Sequence, residues 1–144
     1  PQLADELTPF VRRGLEATEK LGMARYAEIL RLREQLQDHM AALFDEVDVV
    51  LCPTTAVPAF ADKGPPPTVI DGREVAMGMA TPYTMPANLC WNPAISVPAG
   101  LTADGLPVGL QIIAGRHRDA VPLRLARILE QARPWPRHAP VRGL

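Results

Sequence analysis

Apolar residues recur at helical spacing in the first third of the chain. They follow one another mainly at steps of three, four and seven, which places them on one face of a helix: Tyr26, Ile29, Leu36, Met40, Leu43, Phe44 and Val47. Charged residues fall between them, on the side that would meet solvent. The pattern predicts an amphipathic helix over residues 26–47, preceded by a shorter helix around residues 9–20 and a break at Gly22.

A short apolar run comes directly after this helix. Val49, Val50 and Leu51 are stopped by Pro53, which is typical of a buried strand. A helix that leads into a buried strand indicates an α/β fold. The prolines that follow, up to residue 67, predict a long irregular connection, and Asp71 with Gly72 predicts the turn of a small hairpin.

The last third of the chain contains two more strand patterns and a helix. Residues 94–98 and 108–113 are apolar and rich in β-branched side chains, with Asp104 and Gly105 as a turn between them, so we expect an antiparallel pair. Pro98 and Pro107 are expected at strand ends or bulges. Residues 120–132 predict a helix with Asp119 as its N-cap, and residues 134–144 predict a surface tail.

Charge and composition exclude several classes of function. The 144 residues carry 15 basic and 16 acidic side chains, a net charge of −1, without a block of like charge. A nucleic-acid partner is therefore not expected, and no apolar run is long enough to predict a membrane span. Two cysteines, Cys52 and Cys90, do not form a disulfide framework, so a cytoplasmic location is expected. The chain opens with Pro1 rather than Met, so we expect it to derive from a longer protein.

The inventory of nucleophiles and bases is small. Ser96 is the only serine, and the lysines are Lys20 and Lys63. Ser96 lies in a predicted strand without the sharp turn of a GxSxG motif, so a structural hydroxyl is the favoured interpretation. His117 has no second ligand at metal-binding spacing, so we predict an exposed loop residue and no metal site.

Several segments occur in a characteristic order along the chain: FDEVDVVLCP at 44–53, TMPANL at 84–89, PAISVPAG at 93–100, GLPVGLQ at 105–111 and the closing helix up to Trp135. Together they resemble the carboxyl-terminal region of the amidase signature family, whose members are serine hydrolases that cleave carboxamides. The match extends over most of the chain, is strongest from Phe44 onward and is generic before Tyr26.

The resemblance implies a fold and a chemistry. The implied fold class is α/β: the carboxyl-terminal part of an α/β/α sandwich around a mixed sheet, incomplete in this chain and forming a single region over residues 1–144. The implied catalysis uses a serine nucleophile, a second serine in a cis peptide and a lysine base, without a cofactor. In the family these groups lie in upstream segments, and nothing in this sequence matches a catalytic residue.

The same resemblance points to a substrate-binding set. In the family, the segment leading into PANL approaches the substrate pocket. Polar side-chain ends and one indole ring are suited to recognising an amide. The predicted substrate-binding residues are therefore Thr81, Tyr83, Thr84, Asn88 and Trp91. Turn formation and packing are the alternative roles for these residues. Thr81 stands where glutaminase-type amidotransferase subunits carry an acidic residue, which argues against that subfamily. Asn92 and Trp91 occupy places where the family often shows a glycine and a small residue, so a bulkier pocket rim is expected.

These observations predict that the chain is part of an amidase-type hydrolase. The full-length protein would act on a small-molecule amide, and this part alone would be inactive. Sheet edges left bare would favour pairing between copies or with a partner chain. Two alternatives stay open. The first is a non-catalytic binding or assembly module derived from an amidase. The second is a complete relative that uses Cys90 as its nucleophile.

Overall fold

The computed structural model describes residues 6–76 and 78–136 of the chain. Within these ranges the elements are α1 (Pro9–Glu19), α2 (Met23–Glu46), β1 (Val49–Pro53), β2 (Val69–Ile70), β3 (Arg73–Glu74), α3 (Thr84–Cys90), β4 (Ala94–Leu101), β5 (Pro107–Ala114) and α4 (Ala120–Ala132). Backbone contacts divide the chain into two units, residues 1–35 and 36–144. Most of the tail predicted at 134–144 lies outside the described residues.

The first unit contains α1 and the beginning of α2. Thr8 caps α1, because its hydroxyl accepts the amide of Val11 at 3.5 Å, and Pro9 occupies a first-turn position where no backbone donor is needed. The predicted helix over 26–47 is confirmed as α2, which runs from Met23 to Glu46. No residue of α2 is fully buried.

A three-stranded antiparallel sheet in the order β1–β5–β4 forms the centre of the second unit. Cys52 pairs with Gln111 on β5, and Gln111 pairs with Ser96 on β4, so these three side chains share one face. The predicted antiparallel pair is confirmed as the β4–β5 hairpin, with Pro107 at a strand end and a bulge just after Pro98.

The hydrophobic core lies between the other face of this sheet and α4. Ile112 is completely buried, and it clusters with Val97 and Ala126. Partly buried apolar residues surround this cluster: Val49, Ile95, Leu110, Leu125, Leu129 and Trp135. Because β5 is the central strand, its residues carry most of the burial, whereas β1 is an edge strand.

Two local expectations need correction, and one element was missed. β1 is only half-buried and Leu51 is 57% exposed; the strand lies at an edge of the sheet, with no partner on its outer side among the described residues. Asp119 stands at the N-cap of α4 but makes no capping hydrogen bond, since its backbone is already helical. The sequence pattern did not predict α3. Proline usually argues against a helix, but Pro86 lies in the first turn of α3, where proline is tolerated.

The small hairpin predicted around Asp71 and Gly72 is confirmed. Strands β2 and β3 pair antiparallel on either side of these two residues. Both residues have positive φ, 51° and 71°, as a tight two-residue turn requires. Across the described ranges, no helix combines the length and apolarity needed to cross a bilayer.

Candidate functional site

The side chains of Thr54 and Ser96 meet on one face of the sheet. Their hydroxyl oxygens lie 2.6 Å apart, joining the end of β1 to β4 across a separation of 42 residues. Ser96 lies in a strand, as predicted, but its residue is exposed rather than part of the core. A hydroxyl is the hydrogen-bond partner of Ser96 in this structure, and a hydroxyl is a poor base for activating a serine.

Gly109 makes this pairing of hydroxyls sterically possible. A Cβ at position 109 would lie 2.6 Å from Thr54 Oγ1 and 2.7 Å from Ser96 Oγ, closer than real Cβ contacts. The amide of Thr54 also donates to the carbonyl of Gly109 at 2.9 Å. The glycine of the GLPVGLQ segment therefore provides space for two side chains from the flanking strands.

Gln111 is a buried polar side chain at the centre of the same face, only 4% exposed. Its Nε2 donates to the carbonyl oxygen of Tyr83 at 2.9 Å and lies 3.2 Å from the Sγ of Cys52. The Tyr83 oxygen can only accept, so this bond fixes the orientation of the glutamine amide. Gln111 thus ties β5 to the residue at the beginning of α3.

Three of the predicted site residues lie together at that end of α3. The hydroxyl of Thr84 donates to the carbonyl of Thr81 at 3.0 Å, and the hydroxyl of Thr81 reaches the carbonyl of Gly78 at 3.4 Å. Tyr83 is 41% exposed while its carbonyl is held by Gln111. The two threonine hydroxyls therefore stabilise the local turn in this structure.

The other two predicted residues lie at the opposite end of α3. Asn88 and Trp91 line a cleft of about 420 Å³ together with His117 and Asp119. Trp91 follows Thr84 by seven residues, an axial rise of about 10 Å, whereas Asn88 follows Thr84 by four residues, about 6 Å along α3. Asn88 therefore lies one turn from Thr84 on the same side of the helix, and Trp91 lies past the end of the helix.

Trp91 ends α3 in the left-handed backbone conformation, with φ 59° and ψ 32°. Glycine adopts this conformation without penalty, whereas a residue with a Cβ is disfavoured by about 1–2 kcal/mol. This explains in physical terms why a glycine suits this position better than tryptophan. The indole is nevertheless 66% exposed, so its burial offsets little of the backbone cost.

A second cavity, of about 310 Å³, lies between α2 and the ends of α3 and β5. Asn92 lines both cavities and donates its Nδ2 to the carbonyl of Ala114 at 2.9 Å, while its Oδ1 is buried without a hydrogen-bond partner. The Nε2 of Gln37 donates to the carbonyl of Leu89 at 3.2 Å and so connects α2 to α3.

The two cysteines and His117 are the other side chains whose chemistry could mark a site. Both cysteines are free thiols; Cys90 is 1% exposed and Cys52 is half-buried. His117 is exposed, as predicted, and its φ of 63° is also left-handed. Within residues 6–76 and 78–136, no three His, Cys, Asp or Glu side chains are grouped so that they could hold a metal ion.

Comparison with known proteins identifies the family. The sequence profile of the Amidase family matches residues 2–123, so this chain belongs to the amidase family. An acylamidase from Rhodococcus erythropolis is 40% identical over 115 residues, which cover 78% of this chain and 24% of that protein. One component of the glutamyl-tRNA(Gln) amidotransferase of Nitrosococcus oceani is 40% identical over 114 residues, 78% of this chain and 22% of its own length.

The fold agrees with the same family. A crystal structure of a bacterial aryl acylamidase of the amidase signature enzymes superposes with a TM-score of 0.78 at 30% identity, covering 90% of this chain and 27% of that one. The implied resemblance to amidase signature enzymes is thereby confirmed, and so is the mixed α/β fold class. The chain spans about a quarter of the length of the curated relatives it matches.

Gln111, Gly109 and Thr54 were not singled out by sequence reasoning. For Gln111 the sequence does contain a signal: a polar residue interrupts the apolar run at 108–113. In an alternating strand, such a residue lies on the opposite face from its two neighbours. No local signal marks Thr54, since its partner Ser96 is distant in the sequence.

Proposed function

We propose that this chain is the carboxyl-terminal part of an amidase that hydrolyses the C–N bond of a small-molecule carboxamide. Serine, cis-serine and lysine would come from a region outside this sequence. There a neutral lysine would take the proton of the nucleophilic serine, and backbone amides would stabilise the tetrahedral intermediate. By itself the 144-residue chain would be inactive.

The observation that carries this proposal is the hydroxyl pair of Ser96 and Thr54 in a sequence of the amidase family. The single serine of the chain is bonded to a group that cannot act as its base. Membership of the family supports amide chemistry, and the quarter-length coverage of the relatives leaves room for catalytic groups elsewhere.

In this proposal the chain supplies one wall of the amide pocket. Thr81, Tyr83 and Thr84 would present hydroxyl groups and one ring, and Gln111 would hold this wall through the carbonyl of Tyr83. Asn88, one turn along α3 from Thr84, would extend this wall, and Trp91 would contribute to a rim of the pocket only if the substrate extends past the helix. The two free cysteines favour a reducing compartment such as the cytoplasm.

The edges of the sheet suggest where the remainder of the protein belongs. The order β1–β5–β4 leaves the outer edges of β1 and β4 without a partner strand among the described residues. Unpaired edges attract further strands, so we infer that strands of the longer protein continue the sheet there. When the chain is produced alone, a second copy of it would pair with these edges instead.

A chimera tests the proposal. This sequence would replace the matching quarter of the Rhodococcus erythropolis acylamidase, with which it shares 40% identity. We expect the chimera to hydrolyse the acylamidase's own substrate and the isolated chain to release no product. Amide hydrolysis by the isolated chain that disappears in Ser96→Ala would contradict the proposal, as would a natively folded chimera without activity.

The alternative is a non-catalytic binding or assembly module derived from an amidase. The exposed Trp91 cleft is the observation in its favour, since a binding module needs an accessible recognition surface. The two candidates differ in the chimera experiment, because a module that has lost its hydrolase context would not restore turnover.

A further inference from the structure

The segments that build the candidate site carry no charged side chain. Residues 49–61, 75–103 and 105–115 contain no acidic or basic residue, although Asp, Glu, Lys and Arg make up 22% of the whole chain. Their polar side chains carry hydroxyl, amide, thiol, phenol or indole groups. These segments supply β1, α3, β4 and β5, and with them the pocket wall proposed at the beginning of α3. The charges of the chain are therefore placed elsewhere.

The threonine hydroxyls of this wall donate their hydrogens within the chain. Thr84 donates to the carbonyl of Thr81 at 3.0 Å, and Thr81 donates to the carbonyl of Gly78 at 3.4 Å. Because a threonine hydroxyl has one hydrogen, both oxygens keep only acceptor capacity toward another molecule. Tyr83 adds an aromatic ring with a phenolic hydroxyl. The wall therefore offers methyl groups, a ring and neutral hydrogen-bonding groups.

The residues that hold the wall in place are neutral as well. Nε2 of Gln111 donates to the carbonyl oxygen of Tyr83 at 2.9 Å and lies 3.2 Å from Sγ of Cys52. These two contacts engage both hydrogens of the amide nitrogen. The amide of Ala56 donates to the carbonyl of Ala80 at 2.9 Å, so the uncharged segment after β1 adjoins the segment that leads into the wall. These neighbours supply no counter-charge for an ionic substrate.

The ion pair just before β1 does not replace such a counter-charge. Nη2 of Arg118 lies 3.2 Å from Oδ1 of Asp48, so the two charges offset each other. Asp48 precedes Cys52 by four residues, about 13 Å in extended backbone. Exposed charges farther apart than about 10 Å are largely screened at physiological salt. Residues 62–74 carry three acidic and two basic side chains, whose contributions nearly cancel.

An uncharged wall selects against ionic substrates. An ionic group that is buried against it loses its hydration and gains no counter-charge in return, whereas a neutral group of the same shape loses far less. We propose that the substrate is an uncharged carboxamide whose apolar acyl group packs against the ring of Tyr83 and the methyl groups of Thr81 and Thr84. This inference rests on the proposed function, which makes these three residues a pocket wall.

The chimera with the Rhodococcus erythropolis acylamidase tests the inference with three amides of similar shape. Racemic 2-methyl-3-phenylpropanamide, phenylalaninamide and 2-carbamoyl-3-phenylpropanoate carry a methyl, an ammonium and a carboxylate group on the same carbon. A pH of about 6 keeps the amine protonated. We expect kcat/KM for the neutral amide to exceed both others at least about tenfold. If the chimera hydrolyses none of them, calorimetric dissociation constants give the same comparison, because no turnover interferes.

Thr84→Asp in the chimera determines whether the wall faces the substrate. An acidic residue is favourable in the first turn of a helix, and this one should raise the preference for phenylalaninamide over the neutral amide about three- to fivefold, the effect of one exposed ion pair. Thr102→Asp is the matched control, because its carboxylate can still accept the amide of Leu106 in the turn after β4. This control and Glu74→Gln, which removes the charge nearest before the wall in the sequence, should leave the preference unchanged.

Equal or better use of either charged amide by the chimera would overturn the inference, and so would an unchanged preference in a folded Thr84→Asp variant. If that variant fails to fold, the comparison of the three amides on the unmodified chimera decides the matter without it. The proposed function fails on a different result, a folded chimera that hydrolyses no amide at all, and the binding comparison still decides the preference in that case.

Discussion

The hydroxyl oxygens of Ser96 and Thr54 lie 2.6 Å apart above the bare backbone of Gly109. The pair joins the two outer strands of the sheet over the central one. Because each hydroxyl has another hydroxyl as its partner, the pair stabilises the sheet and does not generate a nucleophile. Under the proposed function, the catalytic groups would therefore come from beyond these residues.

Gly109→Ala is expected to destabilise the chain by about 1–3 kcal/mol, the range for overpacking a well-filled site. The added methyl group would lie 2.6–2.7 Å from the two hydroxyl oxygens. Urea unfolding measures the change. In a Thr54→Ala, Ser96→Ala background the same substitution should cost much less, since the obstructing oxygens are gone. Equal costs in the two backgrounds would refute the steric explanation.

Trp91→Gly is expected to stabilise the chain by about 0.5–1 kcal/mol, because glycine accepts the left-handed backbone of Trp91 without a Cβ penalty. Trp91→Ala is the matched control: it removes the indole but retains the Cβ, so the strain remains. Thermal unfolding of both variants provides the comparison. If the glycine variant were no more stable than the alanine variant, strain at this position would be insignificant.

Gln111→Leu should destabilise the chain by about 0.5–1.5 kcal/mol, the net contribution of a typical hydrogen bond, because the bond from Gln111 to the carbonyl oxygen of Tyr83 is lost. Hydrogen exchange should also accelerate at the beginning of α3. Gln37→Leu serves as the comparison, because Gln37 makes a similar bond to Leu89 from a half-buried position and should cost less. A larger effect at Gln37 would contradict the central role of Gln111.

Cys90 should react with iodoacetamide at least about tenfold more slowly than Cys52 in the native chain, because a side chain with 1% exposure reacts only through local opening. Peptide mass spectrometry after timed labelling measures both rates. Denaturation in urea should make them similar. Native Cys90 that reacts as fast as Cys52 would support its use as a nucleophile.

Local patterns predicted most elements of the fold. The β4–β5 hairpin, α2, α4 and the turn at Asp71 were predictable because periodicity, proline positions and turn residues act over a few neighbours. The helix α3 was not, since seven residues containing a proline carry little periodic signal.

The candidate site was less predictable than the fold. Gln111 meets Tyr83 across 28 residues and Ser96 meets Thr54 across 42, and sequence spacing holds no information on such contacts. The sequence shows that position 91 is a tryptophan, but it does not predict that this residue has a left-handed backbone conformation. The separation of Thr84 from Trp91 likewise required knowledge that a helix lies between them.

The central claim is that this chain contains no activated serine. The most direct measurement is intact-mass analysis of the purified 144-residue chain after incubation with a fluorophosphonate probe. The account predicts an unmodified mass under conditions that fully label an authentic serine hydrolase. Stoichiometric addition at Ser96, abolished in Ser96→Ala, would contradict it.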